Sequence, residues 1–182
     1  FSAKEFARRI KGLWLIRPSQ FFGIDRDSFG IELAKVTLML GKKLGLDEMV
    51  DALGRDQINL PLDEDALPLD NLDGNFLCGD ALFVKWPEAD AIIGNPPYQS
   101  KNKMQGEYGR AYLNSVRARY PGVPGRADYC VYWFRRAHDE LKPGHRAGLV
   151  GTNTIRQNYS REGGLDYIVS NGGTITEAVS TQ

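Results

Sequence analysis

The sequence predicts an α/β fold: a doubly wound, mostly parallel sheet with helices on both faces. Short apolar runs of strand length alternate with helical patterns along the 182-residue chain. Three of these runs end in a polar residue, at Asp25, Asp80 and Asn95. Ligands bind at the carboxyl ends of the strands in such sheets. Apolar residues make up 42% of the chain, enough for one globular domain with a sizeable core.

The first elements follow from periodicity and from end signals. Residues 4–15 predict an amphipathic helix, and the apolar run after it predicts a short buried strand that ends near Ile24 or Asp25. Residues 54–75 are acidic and contain prolines, which predicts a long loop.

A second helix is expected between that strand and the loop. Asp27 or Ser28 caps its start, and Lys42 and Lys43 suit the dipole of its last turn. Its apolar residues recur at steps of three and four, which predicts an amphipathic helix. These residues are Phe29, Leu33, Val36, Leu40 and Leu44.

Further strands are predicted in the second part of the chain. "NFLCGD" and "DAIIGN" give two, "RAGLVGT" gives another, and the tail "GGTITEAVSTQ" resembles the start of one more. Residues 99–126 predict a loop with some helix around residues 108–118. Tyr129, Trp133, Ala137 and Leu141 recur four apart, which predicts a helix that stops at the following Pro-Gly pair.

Composition limits the kind of protein. The net charge is zero, but acidic residues dominate before residue 100 and basic residues after it. Cys78 and Cys130 lie far apart, and neither they nor His138 and His145 have partners at metal-ligand spacing. This favours a reduced, cytoplasmic protein with no metal site. No apolar run reaches membrane-spanning length, and the start lacks a signal-peptide layout.

The stretch "IIGNPPY" is the strongest chemical signal. The prolines of Asn95-Pro96-Pro97-Tyr98 forbid a continuing strand or helix, so the chain stiffens just beyond "DAIIGN", which is expected to be a buried strand. The Asn95 side-chain oxygen and the Pro96 carbonyl could then accept hydrogen bonds from one amino group. Tyr98 could stack on a planar ring. The alternative is a Pro-rich turn with a surface tyrosine.

This motif resembles the catalytic motif of amino-methyltransferases that use S-adenosylmethionine, above all the adenine-specific DNA methyltransferases of bacterial restriction–modification systems. The resemblance implies that Asn95, Pro96, Pro97 and Tyr98 are catalytic, and that Tyr98 also contacts a flipped adenine of DNA. It implies that Asp25 holds the cofactor ribose and Asp80 faces the cofactor adenine. From the sequence alone, Asp25 could equally be a cap of the next helix, and for Asp80 an ordinary turn residue is the favoured interpretation.

The resemblance spans most of residues 18–182 in the order of the family. It implies a partial catalytic domain, with an upstream helix at 1–20, a cofactor-side half with the catalytic motif at 21–98 and a substrate-side half at 99–182. Members of the family also have a strand with a glycine-rich loop and a target-recognition domain, and neither has a counterpart in this sequence. The fold is therefore expected to be incomplete at both ends. The rest of the same enzyme is then a partner. The isolated chain is expected to bind cofactor weakly or not at all, and to be inactive.

The basic segment after the motif predicts contacts to DNA phosphate, with Lys101 and Lys103 as its first candidates. Arg110, Arg117, Arg119 and Arg126 follow them in the chain. Three alternatives stay open: a cytosine amino group as the acceptor, a glutamine amide in a protein as the acceptor, or a non-catalytic fragment that only binds DNA.

Overall fold

The computed structural model describes residues 17–53, 71–99 and 101–180. The predicted helix over 4–15 and most of the predicted loop over 54–75 lie outside the described residues. The chain forms two compact units, Phe1–Lys85 and Trp86–Gln182.

The elements confirm the α/β class. A 3₁₀ turn at Pro18–Gln20 is followed by β1 (Gly23–Asp25), α1 (Ser28–Leu53), β2 (Phe76–Cys78), β3 (Ala91–Gly94), α2 (Lys101–Arg119), α3 (Val131–Glu140) and β4 (Arg146–Leu149). A second 3₁₀ turn at Asn153–Arg156, α4 (Asn158–Arg161), a π-helical turn at Glu162–Asp166 and α5 (Tyr167–Ser170) follow. The described strands form two separate parallel pairs, β1 with β2 and β3 with β4. The doubly wound arrangement stays a prediction.

The first unit is built on the β1–β2 pair. Gly23 lies opposite Phe76 and Asp25 lies opposite Cys78. A Cβ atom on Gly23 would lie 2.6 Å from the Phe76 ring, so a larger residue at this position would require that ring to move. The amide of Gly79 donates to the carbonyl of Asp25 at 2.6 Å, which continues the pairing past the end of β2.

Helix α1 begins at Ser28, as predicted, but it is longer than predicted. The Asp27 carboxylate accepts a hydrogen bond from the Phe29 amide at 3.0 Å and caps the helix start. The helix continues to Leu53, so the placement of Lys42 and Lys43 in its last turn is wrong. Lys43 pairs with Asp47 at 2.9 Å, one turn further on, and this contact supports continuation through the glycine between them.

The predicted apolar stripe of α1 does not form the core of this unit. All five of its residues are exposed, Phe29 most of all at 72%, whereas Ile31 is buried at 6%. The pattern predicted the helix correctly and its buried face wrongly. The helix packs on the short β1–β2 pair through another face, and the residues of the stripe are between 47% and 72% exposed.

The second unit is built on the β3–β4 pair. Ala91 lies opposite Arg146 and Gly94 lies opposite Leu149. The Val150 amide donates to the Gly94 carbonyl at 3.0 Å. The expectation that β3 is a buried strand is wrong, because Ile93 is 86% exposed. A two-stranded pair leaves part of each face open unless another element covers it.

Helix α2 occupies most of the segment predicted as a loop. It covers Lys101–Arg119 and breaks only at Gly109, whose φ of 79° and ψ of 165° are not helical. Met104, Leu113 and Val116 are buried along it. The glycines and charges between these residues obscured the helical period.

Aromatic side chains form the core of the second unit around α3. The Tyr129 ring lies 4.6 Å from the Trp133 ring and 6.2 Å from the Tyr132 ring, in both cases edge to face. Tyr132 also meets Tyr120 at 5.7 Å. The hydroxyl groups of Tyr129 and Tyr112 are 2.6 Å apart, which satisfies both inside the cluster.

The strand predicted in the tail is wrong over its described residues, because residues 173–180 form neither strand nor helix. Ile175 and Val179 remain exposed there, with no described strand beside them to pair with. No helix in the described ranges is long and apolar enough to cross a lipid bilayer.

Candidate active site

The Asn-Pro-Pro-Tyr motif lies at the carboxyl end of β3, where Asn95 follows the last strand residue. Pro96 is buried, and Asn95, Pro97 and Tyr98 are exposed. The Tyr98 hydroxyl donates a hydrogen bond to Oδ1 of Asn95. The amide of Asn95 therefore faces away from the core, and its oxygen can exchange one hydrogen-bond donor for another.

The residue after the motif is held from two sides. The Tyr129 amide donates to the Gln99 carbonyl at 2.9 Å, and Gln99 Nε2 donates to Glu107 at 2.6 Å. Because Tyr129 belongs to the aromatic core, the chain leaving Tyr98 is attached directly to the packed part of the unit. These contacts limit the motion of the motif between β3 and α3.

Asp128 joins the start of α3 to the segment after β4. One carboxylate oxygen accepts from the Cys130 amide at 3.2 Å, and the other from Thr152 Oγ1 at 3.5 Å and Thr154 Oγ1 at 3.3 Å. Its amide donates to Ser160 Oγ at 2.9 Å. Sequence reasoning missed this residue, although an Asp three residues before the start of a helix is typical of a side-chain turn, in which it accepts from the amide two residues further on.

Cys130 is not a nucleophile in this site. Burial raises the pKa of its thiol to about 12, and the nearby Asp128 carboxylate adds to the shift. The reactive species of cysteine is the thiolate, so this thiol stays neutral and inert at physiological pH. Within the described ranges, no group of His, Cys, Asp or Glu side chains could hold a metal ion.

The two predicted cofactor residues lie together in the first unit, at the carboxyl end of the β1–β2 pair. Asp25 is exposed, and its Oδ1 accepts from the Asp27 amide at 2.8 Å. Asp80 Oδ1 accepts from the Leu82 amide at 2.9 Å, while Oδ2 lies 3.8 Å from an Arg26 nitrogen. Asp80 therefore supports the turn after β2 as well.

The chemistry of these acceptors fits the nucleoside part of S-adenosylmethionine. An ionised carboxylate offers about four lone-pair sites, so Asp25 can accept from two ribose hydroxyls besides its backbone contact. Asp80 offers acceptors of the kind that an adenine amino group needs, although Leu82 and Arg26 already share them.

The predicted phosphate contacts begin immediately after the motif. Lys101 is the first residue of α2, and Lys103 is exposed in its first turn. Both therefore lie on the first turn of the helix that follows Asn95–Tyr98 in the chain. Whether they touch phosphate stays a prediction.

Parallel strand pairs joined through helices are consistent with a methyltransferase fold, and the comparisons with known proteins identify the class. The chain belongs to the family described as MmeI, DNA-methyltransferase domain, whose model matches residues 3–181. It is also 31% identical over 80 residues to the Type II methyltransferase M.XhoI of Xanthomonas vasicola. That match covers 43% of this chain and only 14% of the relative. The predicted methyltransferase class is confirmed.

Proposed function

We propose that this domain transfers a methyl group from S-adenosylmethionine to the exocyclic amino group of adenine in DNA. The observation that carries the proposal is the exposed Asn95 amide at the end of β3, followed by the proline pair. Membership of a DNA-methyltransferase family supports the reaction class.

The motif would make a poor nucleophile reactive. The lone pair of an adenine amino nitrogen is delocalised into the ring. Asn95 Oδ1 and the Pro96 carbonyl accept hydrogen bonds from the two N–H groups of the amine. These bonds favour tetrahedral geometry at the nitrogen and localise its lone pair. The prolines hold both acceptors in place beforehand, and this preorganisation lowers the barrier. S-adenosylmethionine, when bound, would supply an electrophilic methyl group on a sulfonium sulfur, and that sulfur would keep the bonding electron pair as a neutral thioether. The amino nitrogen would gain the methyl group and lose one N–H proton to solvent.

Tyr98 would serve the target base in two ways. Its hydroxyl leaves Asn95 Oδ1 when the amino group arrives, and its ring stacks on the base. Extruding a base from duplex DNA costs a few kcal/mol. Stacking on an aromatic side chain returns about 1–3 kcal/mol. The half-exposed Tyr98, at 40%, has ring surface available for this contact.

Asp25 would hold the cofactor ribose and Asp80 the cofactor adenine, both at the carboxyl end of the β1–β2 pair. DNA is the proposed substrate, with Lys101 and Lys103 on its phosphates. Other parts of the same enzyme would complete the cofactor site and read the DNA sequence.

Asp25→Ala is expected to weaken S-adenosylmethionine binding about 10- to 150-fold, because hydrogen bonds to a charged group contribute roughly 1.5–3 kcal/mol. Calorimetry on the intact protein measures the dissociation constant. Asp47→Ala removes an exposed carboxylate of α1 and serves as the matched control. Equal affinity in the Asp25 and Asp47 variants would contradict the assignment.

The test of the proposed function is transfer of label from radiolabelled S-adenosylmethionine, with the product identified. The intact protein is incubated with DNA, and the DNA is hydrolysed and separated by chromatography. Label in N6-methyladenine is the expected result. Label in N4-methylcytosine or in a protein glutamine would show that the methyl acceptor is cytosine or a glutamine amide and not adenine. DNA binding with no transfer would leave only a binding role.

A further inference from the structure

A cleft in the second unit plays no part in the proposed reaction. Its volume is about 410 Å³, within the range of sites that hold small ligands. It is lined by Arg117, Pro124, Gly125, Arg126 and Tyr159. None of these residues belongs to the Asn95–Tyr98 motif, and none is acidic.

The walls of the cleft are packed tightly. A Cβ atom on Gly163 would lie 2.7 Å from Pro124, so the turn after α4 lies directly against the loop that carries Arg126. Arg117 Nη2 donates to the Gly125 carbonyl at 2.8 Å and holds that loop to the end of α2. Such a cleft is largely formed before a ligand arrives, which lowers the entropy cost of binding.

The lining combines positive charge with an aromatic ring. The Arg126 guanidinium carbon lies 5.9 Å from the centre of the Tyr159 ring, and Tyr159 is 45% exposed. In the described part of the chain, neither Arg117 nor Arg126 forms an ion pair with a carboxylate. Arg126 is exposed, so its charge is available to an anion. Arg117 keeps Nη2 on the Gly125 carbonyl and its Nε is buried, so it can offer only the rest of its guanidinium group.

We propose that this cleft binds one unpaired nucleotide of the DNA substrate, with the phosphate on Arg117 and Arg126 and the base on Tyr159. Arginine suits phosphate because its planar fork donates two parallel hydrogen bonds. An exposed tyrosine face stacks on any base, so this contact is independent of sequence. The inference rests on the proposed DNA substrate and adds a contact outside the catalytic motif.

Arg126→Gln tests the phosphate contact in the intact protein. Binding to a fluorescent single-stranded oligodeoxynucleotide and to its duplex is measured over a range of salt concentrations. Loss of one phosphate contact is expected to flatten the plot of log affinity against log salt by about 0.7 for the single strand. Arg146→Gln removes an equal charge at the amino end of β4, outside the cleft, and should retain the wild-type slope. Equal slopes in both variants would overturn the phosphate contact.

Tyr159→Ala tests the stacking contact, with Tyr159→Phe as its matched control. The alanine variant is expected to bind the single strand about 5- to 150-fold more weakly, with little change for the duplex. The phenylalanine variant keeps the ring and should bind as the wild type does. Equal binding by all three proteins, or an equal loss in both variants, would overturn stacking.

The two proposals fail in different ways. If the wild type transfers methyl groups and the Arg126 and Tyr159 variants bind DNA as the wild type does, the proposed nucleotide site in the cleft is wrong and the proposed function is supported. If the two variants lose binding as expected but the wild type transfers no methyl group, the proposed function is wrong and the cleft is supported as a nucleic-acid site. An intact protein that binds neither probe would overturn both.

Discussion

Asn95→Ala is expected to lower the rate of methyl transfer to DNA by about 10²–10³-fold, the loss seen when one preorganised hydrogen-bonding group of an active site is removed. The substitution deletes the side-chain acceptor and leaves the Pro96 carbonyl alone to polarise the amino group. Because Asn95 is exposed and its side chain contacts Tyr98, the variant should fold normally. Single-turnover transfer of radiolabel measures the effect.

The control for this prediction is Asn114→Ala, which removes an exposed asparagine side chain on α2. It should transfer label at the wild-type rate. DNA binding by the Asn95 variant should remain within about threefold of wild type, since a single exposed contact contributes little to affinity. Methyl transfer by Asn95→Ala at the wild-type rate would show that the Asn95 amide does not take part in the reaction.

Tyr129→Ala is expected to lower the free energy of unfolding by about 3–5 kcal/mol, the cost of truncating a large buried aromatic side chain to alanine. Tyr129 is 2% exposed and packs edge to face on Trp133 and Tyr132. Its hydroxyl pairs with that of Tyr112. Truncation would leave a cavity beside the segment that holds Gln99.

Urea unfolding followed by tryptophan fluorescence measures this loss, because Trp133 lies against the Tyr129 ring. Tyr129→Phe keeps the ring, gives up one hydrogen bond and should cost only about 1 kcal/mol. A loss below 1 kcal/mol for the alanine variant would show that the cluster contributes little to the stability of the unit.

The sequence was most informative where the structure is local. Apolar runs followed by Asp25 and Asn95 predicted where β1 and β3 end, because side-chain type and proline chemistry act within a few residues. The start of α1 at Ser28 was predictable for the same reason. The parallel pairing also followed, since strands joined through helices run in one direction.

Burial could not be predicted from the same patterns. Periodicity shows that Phe29 and Leu40 share one face of α1, but it cannot show whether another element covers that face. Ile93 illustrates the same limit, because an apolar run predicts a buried strand only if both faces are packed.

Contacts distant in sequence were the other gap. Asp128 meets Thr152 and Thr154, and Tyr159 meets Arg126, across more than twenty residues. A single sequence contains no signal for such pairs. The hydrogen-bond network after β4 and the cleft beside α4 therefore could not be predicted from the sequence.

The hydrogen bond from Tyr98 to Asn95 gives the proposed reaction a way to discriminate between bases. An incoming adenine replaces the tyrosine hydroxyl with its own N–H, so the asparagine oxygen always has a donor. Thymine carries a carbonyl oxygen in place of an exocyclic amine, so in the same orientation it would displace the hydroxyl without supplying a donor at that position. An acceptor that loses its donor and is shielded from water by the bound base costs about 1–3 kcal/mol. A misplaced thymine would thus be disfavoured at entry, before any bond is made.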